Sequence, residues 1–190
     1  MIPDSKLIEN TLQGNRAAFR QLVERYQDYV FSICLRVLGQ REEAEEAAQD
    51  VFLKVHRMLQ TFGEKSRFST WLYTIAYRSA IDTARRRKVA SVALDADDNY
   101  YQVEDDSREN PDAKMRQKDL SEQLAAALQR LKPEDATIIS LFYLHEQSVA
   151  EVAEVTGLTV SNIKTKLHRL RESLREQLTL QLRSEMGDLL

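Results

Sequence analysis

"AEVTGLTVSNIKTKLHRLRESL", from Ala153 to Leu174, is the stretch whose reading decides the fold. A short apolar helix is broken by Gly157, and a basic helix begins at once near Thr159. Helix, tight turn and helix is helix-turn-helix geometry. Ala153 is small enough for the two helices to cross closely, Gly157 supplies the turn, and Ile163 packs the second helix on the first. Stepping 100 degrees per residue from Ile163 brings Leu167, Leu170 and Leu174 within about 40 degrees of it. That stripe is the expected buried face. Ser161, Thr165, His168, Arg169 and Glu172 lie opposite, with Lys164, Arg171 and Arg175 on one shoulder and Asn162 and Lys166 on the other. Short hydrogen-bonding groups flanked by cations suit a major groove, where central side chains meet base edges and the flanks neutralise phosphate. The alternative is a solvated basic face. The motif offsets favour nucleic acid, as do five Lys/Arg against the single acid Glu172 between 159 and 175.

Charge is segregated along the rest of the chain. Residues 1–94 carry 15 basic and 11 acidic side chains, net +4, while 95–118 carry 4 and 8, net −4, and 119–190 carry 8 and 11, net −3. The middle piece, "DADDNYYQVEDDSRENPDA", lacks apolar periodicity and reads as an acidic flexible linker. With 43% apolar and 30% charged residues but only 5 Gly and 3 Pro, the composition favours a helical protein over a sheet protein or a disordered chain. No apolar run is long enough to span a bilayer, and "MIPDSKLIENTL" is not a signal peptide. The single cysteine, Cys34, excludes an internal disulfide and agrees with a cytoplasmic location.

Four helices are expected before the linker. The first, near 4–13, stops at Gly14, and Asn15 caps the second, whose Phe19, Leu22, Val23, Tyr26, Val30, Ile33 and Val37 recur at helical spacing. Gly39 ends it. A third, from about Glu42, turns Ala44, Ala48, Val51, Phe52, Val55 and Leu59 inward. The fourth spans about 68–88. After the linker come an apolar stripe of Leu120, Leu124, Leu128 and Leu131, then a helix begun by Pro133 that buries Ile138, Ile139, Phe142 and Tyr143.

"RFSTWLYTIAYRSAIDTARRRK" places Phe68, Leu72, Ile75 and Ser79 on a core face, with Trp71 nearby. Its far face holds Thr70, Tyr73, Thr74, Tyr77, Ile81 and Ala84, edged by Arg78 and Arg85. Tyrosines beside arginines stack on unpaired bases and hold a backbone. The competing reading packs both rings under neighbouring helices. No catalytic or cofactor pattern competes with these interfaces. His56, His145 and His168 lack metal-ligand spacing, and no glycine-rich phosphate loop is present. "REEAEEAAQD" has carboxylates without a nucleophile or base, which suits a solvated or docking face.

Three segments together resemble the extracytoplasmic-function (ECF) sigma factors, small two-domain specificity subunits of bacterial RNA polymerase that serve stress-responsive transcription. "EEAEEAAQDVFLKVHRML" is similar to the segment that docks on the clamp coiled coil of the largest polymerase subunit. "FSTWLYTIAYRSAIDTARRRK" resembles the segment that melts and reads the −10 element. "LKPEDATIISLFYLHEQSVAEVAEVTGLTVSNIKTKLHRLRESL" resembles the domain that reads −35. The resemblance implies an all-α, non-enzymatic protein. Residues 1–90 form a region 2-like four-helix domain, 91–118 the linker, and 119–190 a region 4-like helix-turn-helix domain. It implies −35 contacts from Lys164, Thr165, His168 and Arg169, to which the outward face and its shoulders add Ser161, Asn162, Lys166 and Arg171. It implies −10 contacts from Thr70, Tyr73, Thr74, Tyr77, Arg78, Arg85 and Arg86, and polymerase docking through Glu46, Gln49, Asp50 and Leu53. Core RNA polymerase and promoter DNA are the implied partners, together with an anti-sigma factor that in some members is membrane-associated. Arg78 departs from the family, many of whose members carry Asn in the pocket for a flipped −10 base, and arginine offers donors but no acceptor. A stand-alone helix-turn-helix regulator is the other reading, but it calls for a dimerisation helix and a ligand or receiver domain, and no clear candidate for them is present.

Overall fold

The structure, a computed structural model of the chain, describes residues 2–92, 128 and 130–187. Every regular element among the described residues is helical. The expected linker from residue 93 onward, and Leu120 and Leu124 of the expected stripe, lie outside the described residues.

The first group is α1 (Asp4–Leu12), α2 (Arg16–Leu38), α3 (Arg41–Met58), a 3-10 turn (Leu59–Thr61) and α4 (Phe68–Val92). The chain leaves α1 through Gly14, whose φ of 90° is reached without a Cβ clash. Asn15 Oδ1 then accepts from the N–H groups of Ala17 and Ala18 at 3.0 and 3.3 Å, a cap worth about 1 kcal/mol. Leu22, Val30, Ile33, Val51, Val55, Leu59 and Leu72 form the centre of the bundle, each 1% exposed or less. Ser79, a polar member of the expected core face, is buried, and its hydroxyl is satisfied by accepting from Lys54 Nζ at 2.9 Å. The fourth helix runs past its expected end near Lys88 to Val92. Arg87 ties it down, donating to the Leu38 carbonyl and to Glu43, each at 3.1 Å.

The second group is α5 (Pro133–Tyr143), α6 (Val149–Thr156) and α7 (Val160–Gly187). Pro133 opens α5 at its first turn, where the missing N–H costs no hydrogen bond. Ser148 and Glu151 cap α6 reciprocally, and Gly157 at φ 75° makes the turn into α7. Ile138, Leu141, Val152, Val155, Ile163 and Leu167 close the core of this group, with Leu128 beside them. Tyr143 departs from the expectation that it is buried. It sits at the end of α5, half exposed, with the Arg171 guanidinium 6.0 Å above its ring.

The two groups are packed together. α6 lies against α4, and α5 lies against α2.

Candidate nucleic-acid interface

The second helix of the helix-turn-helix presents its basic face to solvent. Ile163, Leu167, Leu170 and Leu174 are buried, and the predicted stripe anchors α7 against its neighbours. Ser161, Asn162, Lys164, Thr165, His168, Arg169 and Arg171 are all exposed. Thr159 Oγ1 accepts from Asn162 N–H at 3.2 Å, satisfying one of the unpaired donors of the first turn. His168 Nε2 lies 4.0 Å from Glu172, within ion-pair reach only when the imidazole is protonated. Lys166 corrects the expectation of an outward cation. Its ammonium turns inward to Asp135 at 2.6 Å, and the pair joins α7 to the first turn of α5.

α4 differs. Its expected outward face is covered. Thr70, Tyr73 and Tyr77 are 0%, 3% and 9% exposed, and Thr74 is half-buried; only Arg78, Arg85 and Arg86 of the expected −10 set are open to solvent. The Tyr73 ring meets Tyr26 edge-on at 6.4 Å and leans on Tyr29 at 6.2 Å, so part of its burial arises within the first group. The rest comes from the second group. His145, in the turn between α5 and α6, packs its ring 5.5 Å from Tyr73 and 4.9 Å from Tyr29. The Ser32 hydroxyl lies 3.2 Å from its Nε2. The Thr70 hydroxyl faces Gln147 Oε1 at 3.1 Å and Glu151 Oε1 at 3.3 Å, and Arg67 Nε stands 3.4 Å from Glu151. Burial, together with the Glu134 and Asp135 charges at the start of α5, pushes the Tyr77 phenol up to about 12. Burial raises the Glu151 carboxyl, but hydrogen bonds from Ser148, the Arg67 charge and Thr70 outweigh it and hold the group below its ordinary value.

The seam is imperfectly satisfied. Arg36 Nε and His145 Nδ1 are buried with no hydrogen-bond partner. Desolvation and the nearby Arg36 guanidinium push the His145 imidazole down to about 4. The residues that build this seam, His145, Gln147 and Glu151, carried no functional expectation from the sequence. The only legible signal was Ser148-x-x-Glu151, a helix-start signature that shows the cap but not Glu151's second bond.

On α3, Glu46, Gln49, Asp50 and Leu53 are all exposed and share one face through their i, i+3, i+4, i+7 spacing; Leu53 is 56% exposed. An apolar side chain that open beside two carboxylates suits a basic partner that also carries apolar surface. Among the described residues, no group of His, Cys, Asp or Glu is placed to hold a metal ion, and no helix is long and apolar enough to cross a membrane.

Comparison with known proteins follows this layout. Residues 22–89 match sigma-70 region 2, and residues 121–174 match sigma-70 region 4. The chain is 34% identical over 180 residues to the ECF RNA polymerase sigma factor SigW of Bacillus subtilis, covering 91% of this chain and 95% of that protein. It is 30% identical over 179 residues to the ECF RNA polymerase sigma-E factor of Escherichia coli, covering 91% and 93%. The sigma factor RpoE, solved with the anti-sigma factor NepR from Bartonella quintana, has the same fold, with a TM-score of 0.72 at 19% identity over 85% of this chain and 96% of that one. CnrH, solved with the cytosolic domain of CnrY, shares the fold at a TM-score of 0.63 and 24% identity, over 93% and 97% of the two chains.

Proposed function

The chain belongs to the extracytoplasmic-function sigma factors of the sigma-70 family, and from that premise we propose that it binds core RNA polymerase and directs promoter-specific initiation. Its work is non-enzymatic and cytoplasmic. Residues 1–90 dock on polymerase and engage −10, 91–118 connect, and 119–190 read −35. The observation that carries the reading is the pairing of an open basic helix, α7, with an aromatic and basic helix, α4, in a separate group; a duplex-binding regulator has no use for the second. In α7, Lys164 and Arg171 take phosphates while Ser161, Asn162, Thr165, His168 and Arg169 address base edges. Lys166 acts indirectly, by holding α7 to α5 through Asp135. In α4, Tyr73 and Tyr77 stack on unpaired bases, with Thr70 and Thr74 on the same face, and Arg78, Arg85 and Arg86 follow the backbone.

Glu46, Gln49, Asp50 and Leu53 form the docking patch for the polymerase clamp. An anti-sigma factor is the regulatory partner of this reading, by extension from the sigma factors of like fold that have been solved with one. Reconstitution with core polymerase tests the whole. Run-off transcription from a promoter library should depend on the chain, and Asp50→Arg should weaken assembly with core by creating like-charge repulsion at the patch. Tight duplex binding by the chain alone, with no polymerase-dependent transcripts, would establish the stand-alone regulator instead.

A further inference from the structure

We infer that Tyr143 is a positioning residue of the −35 surface: its exposed ring carries the Arg171 guanidinium without neutralising it and so keeps that cation in place for phosphate. The inference rests on the reading of α7 given above. Tyr143 is the last residue of α5 and is 49% exposed, and the Arg171 guanidinium stands 6.0 Å from its ring centroid, at the outer limit of a cation–π contact. The ring is fixed from behind. Phe142, partly buried against the core, meets it edge-on at 4.9 Å. The backbone beyond it is held as well, because the Leu144 and His145 N–H groups both donate to the Ser140 carbonyl, at 2.8 and 3.0 Å.

Two cations of α7 rest on α5, and they are held in opposite ways. Lys166 meets Asp135 at 2.6 Å, so a carboxylate offsets its charge and takes one of its donors. Arg171 is exposed and meets a neutral phenol. A ring face offers no lone pair of the kind a carboxylate does, so the guanidinium fork stays available to two phosphate oxygens. Lys164, Arg171 and Arg175 are all exposed and lie within about 40 degrees of one another on one shoulder of α7. Like charges so placed repel and favour splayed rotamers, and the electron-rich face of Tyr143 draws the middle cation back to one place. An arginine loose in water loses its rotamer freedom only on meeting DNA, whereas one laid on a ring has lost part of it on folding. The contact is therefore set to act on affinity, not on the choice of base.

The test uses holoenzyme reconstituted from core polymerase and the full-length chain, titrated with duplex promoter DNA from the run-off library at a series of salt concentrations. Tyr143→Ala should weaken binding about two- to fivefold, the range of an exposed cation–π contact, and equally across −35 sequences. Tyr143→Phe keeps the ring and should bind as wild type does. Arg171→Ala should lower the salt slope by about one phosphate contact, and in that background Tyr143→Ala should add no further loss. A ring that merely supported the end of α5 would cost the same with or without Arg171. An equal loss in the Arg171→Ala background, full affinity in Tyr143→Ala, or failure of Tyr143→Phe to restore binding overturns the inference. If Arg171→Ala changes neither affinity nor slope while Arg169→Ala still relaxes discrimination at −35, the positioning falls and the reading of α7 stands. If neither α7 variant alters promoter binding, the reading of α7 is at fault and the positioning falls with it.

Discussion

α7 and α4 are both read as nucleic-acid helices, yet one is open and the other is enclosed. The difference lies in what each outward face is made of. The exposed face of α7 is Ser, Asn, Thr, His, Lys and Arg, groups that water solvates well, so nothing is gained by covering it. The corresponding face of α4 carries two phenol rings, and aromatic area left in water is worth burying at roughly 25 cal/mol per Å². A surface built to stack on bases is therefore sticky by composition, and the nearest complementary surface in this chain is its own second group. A surface built to read a duplex through polar atoms has no such tendency.

That contrast can be broken or sharpened experimentally. The largest effect should come from detaching α7 from its support. Leu167 is 1% exposed, and Leu167→Ala should cost roughly 2–5 kcal/mol of stability in chemical denaturation and abolish −35 binding. If −35 binding persists with full stability, the open face is not held by this stripe. A comparable effect should appear at the seam as pH falls. His145 is faced by Tyr29, Ser32 and Arg36 of α2 and by Tyr73 of α4, and its imidazole is pushed from an ordinary 6.5 down to about 4, chiefly by burial. The open form thus takes up a proton between those values that the closed form refuses. Closure is at full strength above 6.5 and weakens as pH drops, by roughly 3 kcal/mol at pH 4. Energy transfer across the seam should fall in that window for wild type and stay flatter for His145→Gln; parallel curves would show that His145 does not couple to closure.

Arg169→Ala probes the open helix directly. It should lower discrimination at one −35 position by about 1–3 kcal/mol, read from competition binding on a base-pair substitution series. A uniform loss across the series would assign the side chain to phosphate. The smallest effect belongs to Lys166, which is partly buried and already paired. Lys166→Met should change stability by less than about 1 kcal/mol, leaving the salt dependence of −35 binding unaltered. A shallower salt slope would put this ammonium on DNA after all.

Much of the architecture was legible because it is local. Helical periodicity, Gly14 and Gly157 as turns, Asn15 as a cap and the Ile163–Leu174 stripe all depend on neighbours within a few residues. The same locality explains the misses. A helical wheel for α4 separates Phe68 and Leu72 from Tyr73 and Tyr77, but it cannot show that the second face meets another group, because Thr70 and Gln147 are 77 residues apart. Lys166 looked outward on its own helix, and the partner that turns it inward, Asp135, lies on another. Tyr143 fitted the apolar pattern of α5, yet it stands at the helix end, where the core has run out.

Glu151 divides its carboxylate between two tasks, Oε2 on the cap of α6 and Oε1 toward Arg67 and Thr70. The cap alone keeps the side chain in its rotamer. Freezing a mobile glutamate costs up to about 1.5–2 kcal/mol of side-chain entropy, and here that cost has already been met on forming the helix. Its second oxygen is therefore already aimed at Arg67 and Thr70, and the contact between the two groups forms without a search through rotamers.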